Sequence, residues 1–289
     1  MTWTIKSLLD WTTEYFSKYG IEWPHLEAEI LLAHVMKVPR INLYIKFADN
    51  VGDDILADFK KLIIRRSKRE PLAYITGFQP FMGLDFIITP DVLVPRPETE
   101  ILIQTILDIV NPKSQLPKSQ QYKIFDIGTG SGAIAISLAK YIDQSTVVGI
   151  DISEKAVEIA KQNAQKHGMS DRCNFVVGDL FGGVNEKFDI IVSNPPYIPT
   201  SEIEKLQPEI SKYEPRSALD GGEDGLDYYR KISASAKNYI NDDGKLIFEI
   251  GFGQADNVKD IISQNGFELL KAIKDYSGIE RVIAFRFLV

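Results

Sequence analysis

Asn194-Pro195-Pro196-Tyr197 brings two hydrogen-bond acceptors and an aromatic face together in four consecutive residues. It follows an apolar run, Phe188 to Val192, that reads as a buried strand. At a strand end, Asn194 Oδ1 and the Pro195 carbonyl are suited to holding both N–H groups of a flat NH2 while its nitrogen meets an electrophile. The prolines make the acceptors rigid. A proline fixes its own φ and drives the residue before it into extended conformations. Asn194 and Pro195 each precede a proline, with Pro196 closing the pair, so little ordering is left for the moment of binding. Tyr197 adds a surface on which a planar amide or base can stack.

A second constellation supplies a candidate electrophile. Asp126-Ile127-Gly128-Thr129-Gly130-Ser131-Gly132 ends one predicted strand and opens a helix. Glycines there permit a tight turn and close backbone approach to a ligand. The spacing is G-x-G-x-G, neither the dinucleotide G-x-G-x-x-G nor a phosphate loop ending in Gly-Lys-Ser/Thr. Asp151 ends the next strand, where a carboxylate can accept both hydroxyls of a ribose; the plain alternative is a helix N-cap. Asp179, in Gly178-Asp179-Leu180-Phe181, ends a third strand. It can accept an adenine amino hydrogen while Leu180 and Phe181 pack on the ring; the plain alternative is a turn Asp with two core side chains. Three carboxylates on one rim repel a pyrophosphate and favour a ligand with ribose, adenine and net positive charge. S-adenosyl-L-methionine fits that description, with S-adenosyl-L-homocysteine as its product and Asn194 bordering both partners.

The elements that must position these residues fall into two patterns. Residues 1–75 read as a small helical domain. Apolar spacing predicts helices from Ile5 to Tyr19, from Pro24 to Met36, from Ile41 to Phe47 and from Asp53 to Arg69. Residues 76–95 mix aromatic, β-branched and Gly residues, as a connecting β-hairpin does. Residues 96–289 alternate. Strands are predicted at Ile124–Ile127, Val147–Ile150, Phe175–Val177, Ile190–Val192, Leu246–Ile250 and Val282–Phe287, with helices at Glu98–Val110, Ala133–Tyr141, Glu154–Lys166, Tyr228–Tyr239 and Gln254–Gln264. Continuous apolar strands alternating with helices imply an α/β domain with a parallel sheet covered on both faces. Ligands in such sheets bind beyond the carboxyl ends of the strands. Asn111 to Gln121 reads as a surface loop, and the long stretch from Ile198 to Leu226 as a functional rim with a helical turn or two near Glu202–Lys212.

Composition narrows the classes. A net charge of −7 is the wrong sign for a dedicated duplex-DNA binder, so no stable nucleic-acid partner is expected. One cysteine, Cys173, and three scattered histidines provide neither an internal disulfide nor a metal site. Lys6, Asp10 and Glu14 rule the N-terminus out as a signal peptide, and no apolar run reaches membrane-span length, so a cytoplasmic monomer is expected. Lys60, Lys61, Arg65, Arg66, Lys68 and Arg69 form a local basic run, either a solvated helix face or a docking patch for an acidic protein. If Pro97 opens a helix, Arg96 becomes its N-cap, a residue type poorly suited there. That local conflict marks Pro95–Glu100 as a cleft-lining corner or a stiff hinge.

With these motifs in place, the chain resembles the class I S-adenosylmethionine-dependent methyltransferases, and among them the release-factor glutamine methyltransferase family. The resemblance spans nearly the whole chain. It includes Glu27–His34, Glu70–Gly77, Gly221–Asp227, Phe248–Gly251 and, most specifically, Val94-Pro95-Arg96-Pro97-Glu98-Thr99-Glu100. Leu180 departs from the pattern, since many members carry an aromatic residue there. The resemblance implies a Rossmann-like domain with a seven-stranded sheet behind a smaller helical substrate-recognition domain. It also implies the substrate, which is the side-chain amide of the Gln in the Gly-Gly-Gln motif of class I peptide chain release factors. The rival reading is an adenine-N6 or other nucleic-acid amino methyltransferase, because an exocyclic base amine is also a flat NH2.

Overall fold

The computed structural model describes residues 3–110 and 121–287. The chain divides into two compact units, Met1–Gly77 with Gln207–Tyr213, and Phe78–Leu206 with Glu214–Val289.

The first unit is helical. α1 (Ile5–Lys18) begins with a reciprocal cap in which Thr4 and Ser7 satisfy each other's backbone N–H groups. α2 (Pro24–Met36) opens on its proline, where a missing N–H costs nothing. α3 (Ile41–Ile45) and α4 (Asp53–Ser67) complete a core of Leu8, Phe16, Leu31, Leu32, Leu43, Phe59 and Ile63. A fifth helix, α5 (Leu72–Thr76), departs from what the pattern predicts. Tyr74 and Ile75 favour strands, but here both are buried on a single turn between Pro71 and Gly77, whose φ is +80°. Burial overrides their propensity.

The basic run is split between exposed lysines, which form a solvated face, and paired arginines. The Arg66 side chain is 5% exposed and pairs with Glu27 and with Glu209 at 2.9 Å. Arg65 pairs with Glu70, and Arg69 holds Glu209 through two contacts of 2.5 and 2.6 Å. Of the six basic residues, Lys60, Lys61 and Lys68 are, among the described residues, the ones without a partly buried acidic partner.

The second unit opens with an antiparallel hairpin, β1 (Phe78–Phe81) and β2 (Leu84–Ile87). Its two turn residues, Met82 and Gly83, have φ of +48° and +68°, the tight hairpin geometry that matches strand twist. α6 (Thr99–Val110) starts two residues beyond Pro97, so Arg96 is not its cap. The Thr99 and Glu100 N–H groups bond back to the Arg96 and Pro97 carbonyls, and the Arg96 guanidinium instead reaches the buried Glu214 carboxylate at 2.6 Å. The loop expected from Asn111 falls, but for Gln121, outside the described residues.

Then come β3 (Tyr122–Ile127), α7 (Ala133–Tyr141), β4 (Ser145–Asp151), α8 (Glu154–Lys166), β5 (Cys173–Val177) and β6 (Phe188–Ser193). A 3-10 turn spans Thr200–Lys205, and α9 (Pro208–Tyr213) belongs to the first unit. α10 (Asp227–Ala236), β7 (Ile240–Glu249), α11 (Ala255–Ser263), β8 (Phe267–Lys274) and β9 (Glu280–Phe287) finish the chain. The seven strands run in the order β5-β4-β3-β6-β7-β9-β8. The first five are parallel, while β9 pairs antiparallel with both β7 and β8. The sheet is therefore mixed rather than wholly parallel. β8 escapes a reading by apolar runs because it is an edge strand, with Glu268 to Lys271 all exposed. Phe125, Phe188, Ile191, Leu246, Phe248 and Ile283 form the centre of the core.

Candidate active site

Strand register lines up the site. Asp126 pairs with Gly149 and Val192, Ile127 with Ser193, Asp151 with Val177, and Ser193 with Phe248. The carboxyl ends of five adjacent strands thus carry, in order across the sheet, Asp179, Asp151, Asp126, Asn194 and Glu249. Strand order reverses between β3 and β6, which opens a crevice there. A cavity of about 260 Å³ occupies it. Of the predicted residues, Gly128, Gly130, Asp151, Asp179, Leu180, Asn194, Pro195 and Pro196 line this cavity together.

The others stand behind the wall. Asp126 is fully buried, and its Oδ2 accepts the Thr129 hydroxyl at 2.6 Å. Burial pushes the Asp126 carboxyl up to about 7, with Thr129 pulling the other way. Asp126 and Thr129 brace the glycine loop from beneath rather than facing the cavity. Ser131 offers its carbonyl to Asn163 at 2.9 Å. Gly132 has φ +79°, and a Cβ there would press Ile136 and Ala160 at 3.0–3.1 Å, so glycine lets the loop pass close to α8. Phe181 does not face the cavity. Its ring stacks on Tyr239 at 4.5 Å within the core, because the chain turns at Leu180 with φ +53°. Tyr197 is also set into the core's edge, and burial raises its phenol well above the ordinary range.

Asp151 has two duties. It accepts the Gly130 N–H and the Ser153 N–H, each at 2.9 Å, while Ser153 itself caps α8. Burial pushes its carboxyl up against those donors. The glycine loop is thus tied to the carboxylate at the end of the neighbouring strand.

The Asn-Pro-Pro-Tyr segment is clamped by residues distant from it in sequence. Asn194 Nδ2 donates to Thr99 Oγ1 at 3.2 Å, which leaves Oδ1 facing away from that bond. Among the described residues no protein donor engages Asn194 Oδ1 or the Pro195 carbonyl. Gln254 Nε2 donates to the Tyr197 carbonyl at 2.9 Å, and its Oε1 accepts the Gly251 N–H at 3.0 Å. Gly225 passes so close that a Cβ would lie 2.4 Å from the Tyr197 carbonyl oxygen. Asn163, on α8, holds Ile87 of the hairpin through both its carbonyl and its amide. Val92, Leu93, Ile152 and Tyr228 add apolar and aromatic wall to the cavity. Gly221 to Asp227 and Phe248 to Gly251 are recognisable motifs, yet only packing assigns Gly225, Glu249 and Gly251 their neighbours. Among the described residues no cluster of three or more His, Cys, Asp or Glu side chains could hold a metal, and no helix is long and apolar enough to cross a membrane.

Two family models match the sequence, one described as PrmC N-terminal domain over residues 7–77 and one as Methyltransferase small domain over residues 113–210. A release factor glutamine methyltransferase of Geobacter sulfurreducens is 44% identical over 285 residues, covering 98% of this chain and 97% of that protein. The chain belongs to the release factor glutamine methyltransferase family. A second member, from Rhodopirellula baltica, is 39% identical over 287 residues, covering 98% of this chain and 96% of its own. Among solved structures, a methyltransferase from Pyrococcus furiosus shares the fold, with a TM-score of 0.52 and 20% identity across 72% of this chain and 90% of that one. Membership makes this chain an S-adenosylmethionine-dependent methyltransferase, and the rim of strand ends is where its chemistry has to be sought.

Proposed function

We propose that this enzyme transfers a methyl group from S-adenosylmethionine to the side-chain amide N5 of the Gln in the Gly-Gly-Gln motif of class I peptide chain release factors. The observation that carries the reading is the pair of unengaged acceptors, Asn194 Oδ1 and the Pro195 carbonyl, opening on the same cavity as Asp151 and Asp179. The donor set fits the cofactor: Gly128 and Gly130 allow close backbone approach, and carboxylates suit a ligand with hydroxyls, an amino group and positive charge. In this reading Asp151 holds the ribose and Asp179 the adenine amino group. Leu180 packs on the ring with Phe181 supporting it from the core, and Asp126 steadies Thr129 under the loop. Once bound, the cofactor supplies an activated sulfonium methyl carbon.

The amide nitrogen is a weak nucleophile because its lone pair is delocalised into the carbonyl. Asn194 Oδ1 and the Pro195 carbonyl accept its two N–H bonds and aim the lone pair at the methyl carbon. As positive charge grows on nitrogen both bonds strengthen, so they favour the transition state over the ground state, and the charge is discharged when one of the two N–H protons leaves to water. Clamping by Gln254, Gly225 and the two prolines means the acceptors need no rearrangement.

Asn194→Ala should lower turnover by about 100-fold or more, the scale of one lost charge-stabilising contact, and leave cofactor affinity largely intact. Incubation with labelled cofactor and either purified release factor or DNA, followed by mass spectrometry, tests the substrate. Label on DNA and none on the Gly-Gly-Gln glutamine overturns the reading.

A further inference from the structure

Glu249 ends β7 directly beside the methyl-accepting corner, yet it does not line the cavity. The β6–β7 register, with Ser193 opposite Phe248, makes Asn194 and Glu249 neighbours at the ends of adjacent strands. Glu249 is 2% exposed, and its Oε2 has no hydrogen-bond partner among the described residues. Its backbone carbonyl accepts the Tyr229 hydroxyl at 3.0 Å, so the strand end is held firmly. A carboxyl buried there with one oxygen left without a partner is costly to fold around. A core built only for stability would place an apolar residue there.

The groups facing it come from every element packed around it. Thr99 and Glu98 arrive from the start of α6, Asn194 from the end of β6, Arg281 from β9, Tyr197 from the segment beyond β6, and Tyr229 from α10. Thr99 is 4% exposed, and its Oγ1 accepts the Asn194 amide. A hydroxyl that accepts from Asn194 has its own hydrogen left to donate, and the neighbouring carboxylate is an acceptor-only group when ionised. Donation then runs one way, from Asn194 to Thr99 and from both to Glu249. That direction dictates the carboxamide: nitrogen toward Thr99, oxygen toward the cavity.

We propose that Glu249, acting through Thr99, is the positioning residue that fixes the Asn194 carboxamide with its oxygen toward the incoming NH2. The inference rests on the reading of Asn194 as an amide acceptor. Protonating Glu249 gives Thr99 a donor to accept from and removes the one-way order. Asn194 can then turn its own NH2 to the substrate, and two donors face each other. Burial pushes the Glu249 carboxyl up to about 7, opposed by its hydrogen bonds with Thr99 and Asn194 and by Arg281. The ordering is therefore present above that value and lost as pH falls through it.

The test uses the full-length enzyme, purified release factor and the methyl donor. In the wild type kcat should rise with pH through about 7. Glu249→Gln is isosteric and should cut kcat about 10-fold or more, with KM and cofactor affinity within about two-fold, and its kcat should lose that pH dependence. Thr99→Val should match it, whereas Thr99→Ser, which keeps the hydroxyl, should recover to within about three-fold of wild type. Wild-type kcat in Glu249→Gln and Thr99→Val, or an unchanged acidic limb in Glu249→Gln, overturns the proposal. Asn194→Ala separates the two claims. If it stays active, the acceptor reading itself fails. If it is inactive while the Glu249 and Thr99 variants behave as wild type, only the relay fails.

Discussion

Asp151 shows how much one side chain can be asked to do. Its two oxygens already receive the Gly130 and Ser153 N–H groups, yet the residue still lines the cavity. A carboxylate oxygen has more than one lone-pair site, so ribose hydroxyls can be added without displacing either bond. Asp151→Asn keeps an acceptor but loses the charge and turns one oxygen into a donor facing an N–H. It should weaken cofactor binding by about 10-fold or more, read by calorimetric titration, because a charge-assisted bond to a hydroxyl is worth ~1.5–3 kcal/mol. Affinity within two-fold of wild type would remove Asp151 from the cofactor site. The glycines and strand-end carboxylates that touch the cavity are readable one by one because their residue types announce them, whereas Leu93, Ile152 and Tyr228 carry no such signal. Gln254 is not readable either, since it acts on a residue more than fifty positions away and has no local signature; Thr99 lies in a recognisable motif, but nothing in that motif names Asn194 as its partner. Phe181 looks like a ring-packing residue from its neighbours in sequence. The left-handed turn at Leu180, which no residue type advertises, sends it into the core instead.

At the scale of elements, position is legible wherever both faces are buried and obscure at the margins. β3 to β7 carry apolar runs because helices cover both sides of the sheet, whereas β8 has no such cover and α5 hides strand-forming residues in one buried turn. The segment after β6 is the least legible of all. It holds only short helical pieces, as expected near Glu202–Lys212, but Gly221 and Gly225 allow it to fold back against Pro196 and Tyr197. The Ile198 N–H and carbonyl then bond to Leu219 and Gly221. This return path, more than the prolines alone, keeps the two acceptors in place. Gly225→Ala tests it. The added carbon faces both a φ of +76° and a carbonyl oxygen at 2.4 Å. Gly253→Ala is the control, with the same φ of +76° and open space around it. Strain alone should cost the control about 1–2 kcal/mol. Gly225→Ala should cost clearly more in urea melts and should lower kcat far more than cofactor affinity. Equal losses in the two variants would mean that the backbone contact does not hold the acceptor segment.

The whole molecule keeps two carboxyls, Asp126 and Glu249, buried at the rim of its sheet, each pushed up to about 7 by lost hydration. Their folded values lie above the 3.8 and 4.5 of the free side chains. The stability each contributes is therefore fully present below those free values and is lost as pH rises through about 7. A tenfold change in proton affinity is worth ~1.4 kcal/mol, so by pH 8 each site costs on the order of 3–4 kcal/mol relative to an uncharged isostere. A protein selected for stability alone would not carry both. A catalyst that needs fixed negative charge near a cationic ligand has reason to. Asp126→Asn retains an acceptor for the Thr129 hydroxyl, so it should melt later than wild type at pH 8, and the two should converge only below about pH 4, where the free side chain is protonated as well. Adding S-adenosylmethionine should raise the wild-type melting temperature more at pH 8 than at pH 5, because ionised carboxylates at the rim attract its positive charge most when it binds. In Asp126→Asn that pH-dependent part of the ligand effect should shrink. A rise of equal size at both pH values in the wild type would mean that Asp126 does not sense the cofactor, and its burial would then need an explanation other than cofactor binding.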